Sequence, residues 1–356
     1  MKINLDQSDT LLQLDKTQLF EATAQYSSWM ADGYAQAKAL EVKALSGKVD
    51  EIVMCSVGGG PVASLVQLKS LLFDEIKVPI ILSQAYSMPA YVDSDSIVFI
   101  VNYSGGSEEV VSAYRHAITT GATIIVLTAG GKARELAEQN GHLLFQLPAG
   151  RQPRMISTSH VLVPILVILH RLGLIADPDQ GIAETIRLIE QLTPAYAPQA
   201  VLADNEAKQI ATEMDGLIPV VYGTLPFTDA SAVRFKNQLA EVSKVMAFSN
   251  AMSGLHHDEA NGWDADSAML RQFHFTLIHD REDTEPMGRR LRATREVLAS
   301  RAGAVRVITS VGESRLARMC SLVYLIDHVT LYLAFIRGIH PSQGDALNEF
   351  RARFNS

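Results

Sequence analysis

Short apolar runs of strand length alternate with helix-length amphipathic segments, and this alternation constrains the fold more than any other feature of the chain. In the first half the runs lie at 51–57, 78–83, 96–103, 122–128 and 142–148. Each is nearly continuous in Val, Ile, Leu or Phe, as is typical of parallel strands covered by helices on both faces. The segments between them, such as 107–121, have apolar residues at helical spacing and end at glycine. The pattern predicts a doubly wound α/β domain.

A second series of strand-like runs follows in the other half, at 218–224, 273–279, 304–310 and 321–327. The stretch 193–199, with two prolines, separates the two series and is the best candidate for a linker. Since 356 residues exceed what one core usually supports, we expect two domains of repeated architecture. The expected parts are a helical segment at 1–44, a first domain at 45–176, a helix and linker at 177–200, and a second domain at 201–356 with a C-terminal helical segment.

Composition excludes several classes of protein. A content of 47% hydrophobic and 20% charged residues is globular, and a net charge of −8 without a dense Lys/Arg run argues against nucleic-acid binding. Cys55 and Cys320 form no CxxC pair or disulfide framework, which indicates a reducing compartment. No signal-peptide pattern is evident, and no run reaches eighteen uninterrupted apolar residues. We therefore predict a cytoplasmic protein without a membrane span.

A glycine-rich loop follows the first strand. Gly58, Gly59 and Gly60 stand where a parallel strand turns into a helix. Glycine lets the backbone approach an anion there, and the free N–H groups of the helix start are donors. The loop is neither a P-loop nor a dinucleotide fingerprint, so a purely structural tight turn is the alternative.

A second loop, Asn102–Glu109, follows the strand at 96–103 and opens the next helix. It places the hydroxyls of Ser104 and Ser107 and several backbone amides at the carboxyl end of the sheet, where each hydroxyl can donate to a phosphate oxygen. The alternative is that Ser107 merely caps the helix.

Glu241 and His257, sixteen residues apart, are a plausible pair for proton transfer. Surface exposure is the ordinary alternative for a helical glutamate. The run from His256 to Glu259 can also suggest metal ligands, but four successive residues diverge too much to hold one ion. We expect no metal.

Four segments of the chain resemble known sequences. The NYSGGSEE loop at 102–109 resembles the SYSGNTEE phosphate loop of sugar isomerase (SIS) domains. QLAEVSK at 238–244 and HHDEANGW at 256–263 resemble the QxNENxK and HNExxGW segments of bifunctional phosphoglucose/phosphomannose isomerases. The ending, 338–354, resembles that family's closing segment. The resemblance runs from about residue 45 to the end and implies two doubly wound, flavodoxin-like SIS domains in tandem.

The resemblance also implies an activity: aldose–ketose isomerisation of hexose 6-phosphates through an enediolate, without a cofactor, in a homodimer that shares its active sites. By this resemblance, Glu241 is the general base, and His257 is the acid/base that opens the sugar ring in the neighbouring subunit's site. Arg154 contacts the enediolate, and Arg351 is a possible contact from the C-terminal segment. The residues that bind the phosphate are Gly59, Gly60, Ser104, Gly105 and Ser107. A carboxylate base, an imidazole and a permanently charged guanidinium suit these steps.

The chain departs from the family pattern at several positions. Gly60 replaces the serine of the first loop, and Asn102 replaces the first serine of the second. Ala240 and Val242 replace the asparagines beside the base, and Arg351 replaces a lysine. These changes leave two alternatives beside the hexose 6-phosphate isomerase: an enzyme for a modified or amino sugar phosphate, and a non-catalytic sugar-phosphate-binding protein. The presence of both Glu241 and His257 favours catalysis, because binding alone needs no base.

Overall fold

The computed structural model describes residues 3–45, 47–341 and 344–354, so Ser342 and Gln343 of the closing segment lie outside the described residues. The chain divides into two compact units, each built around one parallel sheet. The first unit comprises Gln25–Ile189 and Gly312–Cys320, and the second comprises Met1–Ala24, Glu190–Val311 and Ser321–Ser356.

The first unit contains five strands: β1 (Glu51–Ser56), β2 (Ile80–Ser83), β3 (Ser96–Val101), β4 (Thr123–Thr128) and β5 (Leu143–Gln146). Its helices are α3 (Tyr26–Ala39), α4 (Gly59–Leu71), α5 (Glu108–Thr120), α6 (Gly131–Asn140), α7 (Pro153–Ser157) and α8 (Val163–Arg171), with a π-helical turn at Thr158–Leu162. The strands are parallel in the order β2-β1-β3-β4-β5. This order confirms the doubly wound, flavodoxin-like prediction.

The second unit contains four parallel strands: β6 (Ile218–Thr224), β7 (Phe248–Met252), β8 (Phe273–His279) and β9 (Ala304–Thr309). Its helices are α1 (Ser8–Leu14), α2 (Leu19–Ala24), α10 (Glu206–Met214), α11 (Asp229–Glu241), α12 (Ser267–Leu270), α13 (Glu285–Ala299) and α15 (Asp345–Phe354). Short 3₁₀ turns lie at Leu202–Asp204, Gly254–His257 and Glu259–Asp264. The strand order β7-β6-β8-β9 repeats that of the first four strands of the first sheet.

Two long helices cross the boundary between the units along the chain. α9 spans Asp179–Tyr196 and α14 spans Arg315–Ile336. Pro194 lies inside α9, so the first half of the expected linker at 193–199 is helical.

The predicted strand at 321–327 is wrong, because these residues lie in the middle of α14. Every residue from Leu316 to Phe335 is buried. A helix buried all round has no polar face, so its sequence looks like a continuous apolar run. The opposite error concerns β7, which the sequence pattern does not predict, because FSNAM is partly polar and only Met252 of this edge strand is buried.

Two helical stretches are long and apolar enough to cross a membrane by length and composition, Pro153–Arg171 and Arg315–Ile336. The most apolar part of each is buried within the protein, by 83% and 94% respectively. Such burial is typical of the core helices of globular proteins.

Central strands of the first sheet are buried on both faces. Every residue of β1 and of β3 is buried, and Cys55 pairs in register with Ile100. On one face their side chains pack against α5, where Val110 and Tyr114 belong to the same cluster. Because β1 and β3 send their chains to opposite sides, the loops after these two strands flank the crevice where doubly wound sheets bind ligands.

Candidate active site

The loop after β1 lies at this crevice and leads directly into α4. Gly58, at a φ of +91°, is the N-cap residue of the helix, and Gly59 and Gly60 form its first turn. Pro61 has no N–H, and Val62 donates to the Gly58 carbonyl. Backbone amides at the start of such a helix are suited to hold an anion.

The loop after β3 supplies two hydroxyls on the other side of the crevice. Ser104 is exposed and Ser107 is half-buried. Ser107 occupies the N-cap position of α5, yet its side chain makes no capping hydrogen bond. Instead the Ser104 and Ser107 hydroxyls donate to the Oδ1 atom of Asn102, at 3.3 and 3.2 Å. The capping alternative therefore does not account for the side chain of Ser107.

A third loop, after β4, packs against the second loop, and it was not among the predicted site residues. Gly105, at a φ of +70°, is packed so tightly that a Cβ there would lie 1.6 Å from the Gly130 carbonyl oxygen. Ala133 donates to the Gly105 carbonyl at 2.9 Å. The signal was present, since Thr128 ends β4 and is followed by Ala129, Gly130 and Gly131, a turn where close backbone approach is possible.

Arg154 lies in the first turn of α7 and is half-buried. A Cβ on Gly60 would come 2.6 Å from the Arg154 Cα, so the first loop and the arginine segment are in direct backbone contact. The Tyr103 hydroxyl connects the second loop to the same segment, because it donates to the Pro148 carbonyl at 3.2 Å and accepts from the Arg151 amide at 2.9 Å. The first unit thus gathers both loops and Arg154.

Glu241 is the last residue of α11 in the second unit, and it is half-buried. A buried ion pair fixes its helix: Arg234 donates to Asp327 at 2.7 Å, and Gln238 donates to the same carboxylate at 2.8 Å. Removing one partner of such a buried pair is strongly destabilising. The position of Glu241 therefore depends on this network one and two turns earlier in the helix.

His257 ends the 3₁₀ turn after β7 and is exposed. Its neighbour His256 is half-buried, with Nε2 2.7 Å from the Thr294 hydroxyl. Burial lowers the pKa of His256, and the charge of Arg290 lowers it further. Of the two histidines, His257 is the one that a substrate can reach freely.

Hydrogen bonds to Glu259, two residues after His257, hold this loop in place, and we call Tyr222, Asn250 and Glu259 the clamp. The buried Tyr222 hydroxyl donates to one carboxylate oxygen of Glu259, and Asn250 Nδ2 donates to the other at 2.5 Å. The indole N–H of Trp263 donates to the Tyr222 oxygen at 3.4 Å. Burial raises the pKa of Tyr222, and the Glu259 carboxylate raises it further, so this hydroxyl stays protonated as a donor.

Glu241 and His257 lie at opposite ends of β7. α11 returns the chain to the amino edge of the sheet before β7 begins at Phe248, whereas His257 follows the carboxyl end of β7 at Met252. Five residues of strand span roughly 16 Å. The backbone at the two ends of β7 is separated by this length of strand.

Arg351 is exposed on α15, which has no buried residue within Asp345–Phe354. Across the described residues, no group of three or more His, Cys, Asp or Glu side chains is arranged to hold a metal ion.

Relatives share nearly the whole length of the chain. A bifunctional phosphoglucose/phosphomannose isomerase of Caldicellulosiruptor bescii is 35% identical over 324 residues, covering 91% of this chain and 95% of the relative. The chain belongs to the bifunctional phosphoglucose/phosphomannose isomerase family. A second member of this family, from Aquifex aeolicus, is 30% identical over 294 residues, covering 82% of this chain and 86% of its own length.

The second unit has a family signature of its own. Residues 203–354 match the model of the bacterial phospho-glucose isomerase C-terminal SIS domain. Among solved structures, a glucose-6-phosphate isomerase like protein from Thermus thermophilus superposes with a TM-score of 0.61 at 15% identity, over 98% of this chain and 99% of that one. The fold and family predicted from the sequence are confirmed.

Proposed function

We propose that the protein is an aldose–ketose isomerase that interconverts glucose 6-phosphate or mannose 6-phosphate with fructose 6-phosphate. The observation that carries the proposal is the convergence of two anion-binding loops and Arg154 in the first unit. Family membership supports it, because the relatives are named for these two activities. In this proposal the loops hold the phosphate and leave the sugar carbons extended away from it.

The phosphate contacts divide between backbone and side chains. Amides at the start of α4, with Gly59 and Gly60, face one side of the anion, and the hydroxyls of Ser104 and Ser107 face the other. Gly105 lets the second loop pack closely against the backbone of Gly130. Anchoring the phosphate orients the reacting carbons at the far end of the substrate.

Each chemical step has a residue of suitable type. Glu241 removes the proton from C2 of the open-chain aldose, a proton moves from the C2 hydroxyl to the C1 oxygen of the enediolate, and Glu241 then delivers its proton to C1, so no proton is gained or lost overall. Arg154 stabilises the negative charge of the enediolate formed between these transfers. His257 moves a proton at the ring oxygen when the sugar ring opens. For Arg351 on the last helix, the proposal keeps the substrate contact that the family resemblance implies.

We further propose that the active protein is a homodimer in which His257 serves the site of the neighbouring chain. The support is the separation of Glu241 and His257 by the length of β7. In this proposal the active site combines Glu241 of one copy of the chain with His257 of another.

A modified or amino sugar phosphate is the second candidate substrate. Gly60 has no hydroxyl, and Ala240 and Val242 place apolar side chains beside the base. These substitutions change the contacts that select a substrate and leave the proton-transfer residues in place.

The test is direct conversion of each sugar phosphate followed by NMR. Glucose 6-phosphate, mannose 6-phosphate and glucosamine 6-phosphate are each incubated with the protein. Fructose 6-phosphate is measured in all three reactions, together with the ammonia that must be released when water converts the amino sugar to fructose 6-phosphate. The proposal expects fructose 6-phosphate from glucose or mannose 6-phosphate, and no product with the Ser104→Ala/Ser107→Ala double variant at low substrate concentration. Absence of turnover on all three substrates, with phosphate binding intact, would refute isomerisation.

A further inference from the structure

The side chain of Asn102 occupies the centre of the second loop. It is 4% exposed and follows the last residue of β3 at the crevice. Its backbone is fixed on both sides, because its N–H donates to the Leu127 carbonyl at 3.0 Å and its carbonyl accepts from the Gly105 amide at 3.1 Å. The side-chain amide therefore has a defined position beneath the hydroxyls of Ser104 and Ser107.

In the structure these hydroxyls are turned toward the protein. Both donate their protons to Asn102 Oδ1, and the Ser104 oxygen also accepts from the Gly106 amide at 3.3 Å. A hydroxyl has one proton to donate. With that proton given to Asn102, neither serine can donate to a phosphate dianion, which only accepts hydrogen bonds.

The nitrogen of the Asn102 side-chain amide, in contrast, lacks a hydrogen-bond acceptor among the described residues, and this Nδ2 atom is buried. A buried N–H₂ group without an acceptor is unfavourable. A half-turn of the amide about its Cβ–Cγ bond would bring Nδ2 to the two serine oxygens, which can accept both of its protons, and would place Oδ1 where Nδ2 now lies.

We propose that Asn102 is the positioning residue of the phosphate site and that its amide turns over when phosphate binds. In the turned state one Nδ2 proton goes to each serine oxygen, and both hydroxyl protons are released toward the anion. Ser104 would then accept from Asn102 and from Gly106 and donate to phosphate, using its whole hydrogen-bonding capacity. Asparagine thus replaces the serine of related loops by directing the two hydroxyls that remain. The inference rests on the proposed phosphate role of these serines.

A double-mutant cycle tests this role, with the affinity for inorganic phosphate measured by calorimetry at fixed ionic strength. We expect Asn102→Ala to weaken binding about 10-fold, the size of one good hydrogen bond to a charged group. In the Ser104→Ala/Ser107→Ala background the same substitution should change the affinity less than about 2-fold, because Asn102 acts through the hydroxyls. An equal effect in both backgrounds would mean that Asn102 contacts phosphate directly, and would overturn the inference.

Two further variants separate donor from acceptor at position 102. Asn102→Asp keeps the shape but can only accept, so it should weaken phosphate binding by about 100-fold or more, through fixed hydroxyl protons and like-charge repulsion. Asn102→Ser, the residue of related loops, should bind within about 3-fold of the parent and so shows that the loop tolerates substitution. Parent-like binding by Asn102→Asp would contradict the proposal.

The outcomes also distinguish this inference from the proposed function. If Ser104→Ala/Ser107→Ala binds phosphate as the parent does, the phosphate site itself is misplaced and the proposed function fails with it. If that double variant binds phosphate more weakly than the parent while Asn102→Ala and Asn102→Asp bind it as the parent does, only the role of Asn102 is wrong.

Discussion

At the scale of single residues, the proposed phosphate site depends on close contacts between backbone segments as much as on side chains. Gly60 touches the backbone of Arg154, and Gly105 touches that of Gly130. A serine at position 60 would meet Arg154 Cα, so the hydroxyl missing there cannot simply be restored. The glycines bring the loops together, and Asn102, Ser104 and Ser107 supply the polar atoms.

Adjacent glycines of the second loop provide a matched pair of substitutions. Gly105→Ala places a Cβ 1.6 Å from the Gly130 oxygen at a φ of +70°, whereas Gly106→Ala meets nothing within 4 Å. We expect Gly105→Ala to lower the free energy of unfolding by about 3 kcal/mol and to abolish phosphate binding. Gly106→Ala should stay within about 0.5 kcal/mol of the parent. Chemical denaturation measures both, and similar stabilities for the two variants would contradict this packing.

The sequence predicted the polar residues of this site but not their mutual contacts. Glycines after a strand indicate that the backbone packs closely against another segment or a ligand. They do not indicate that Gly105 packs against Gly130, which lies in another glycine loop 25 residues further along the chain. Likewise, Asn102 was recognised as a substitution, while its bonds to both serines became visible only in three dimensions. Local sequence carries conformational preference, and contacts between loops depend on the strand order.

At the scale of elements, the loop after β7 is a structured segment built to present His257. Glu259 is anchored by Tyr222 and Asn250 on one side of the histidine, and His256 is anchored by Thr294 on the other. These contacts leave His257 exposed in a short helical turn. The loop is therefore held from within the second unit, independently of substrate.

Removing the Tyr222 hydroxyl tests the clamp. Tyr222→Phe keeps the ring in the core and deletes the donor to Glu259, so we expect kcat for hexose 6-phosphates to fall about 10-fold, the equivalent of one hydrogen bond to a charged group. The affinity for inorganic phosphate should not change, because the phosphate loops belong to the first unit. Asp264→Asn, an exposed change in the same loop, is the control. Equal kcat values for both variants would show that the clamp does not position His257.

Elements of regular pattern were predicted well, and two were not. Eight of the nine strands in the described part of the chain matched predicted runs, because central parallel strands are short, apolar and bounded by turns. β7 is not predicted from the sequence, because a strand at the edge of a sheet need not be apolar. The run at 321–327 resembles a strand in sequence because burial on all sides removes the helical period from α14.

At the scale of the whole molecule, the two sheets share a strand order but differ at the crevice where a ligand would bind. In the second sheet, between β6 and β8, the Asp283 carboxylate fills this place. It accepts from the Thr224 hydroxyl at 3.0 Å, from the Asp280 amide at 3.0 Å and from His279 Nδ1 at 2.8 Å. In the second unit the Asp283 carboxylate thus occupies the place where, in the first unit, we propose that a phosphate binds.

We therefore expect one sugar phosphate per chain. Calorimetric titration with fructose 6-phosphate should give a stoichiometry of about one, because like charges exclude a phosphate from the Asp283 site. The Ser104→Ala/Ser107→Ala variant should bind fructose 6-phosphate much more weakly than the parent, at the same single site. A stoichiometry of two, or half of the signal remaining at the parent's affinity in this variant, would show that the second crevice also binds.

The central claim is that Glu241 moves the proton during isomerisation, and exchange of the substrate C2 proton with solvent tests it most directly. Glucose 6-phosphate or mannose 6-phosphate is incubated with the protein in deuterium oxide, and deuterium at C2 is followed by NMR. We expect exchange with the parent protein. With Glu241→Gln we expect exchange to slow by about 1,000-fold or more at unchanged phosphate affinity, because the amide cannot accept the proton. Parent-like exchange in Glu241→Gln, or equal loss of exchange and of binding, would contradict the account.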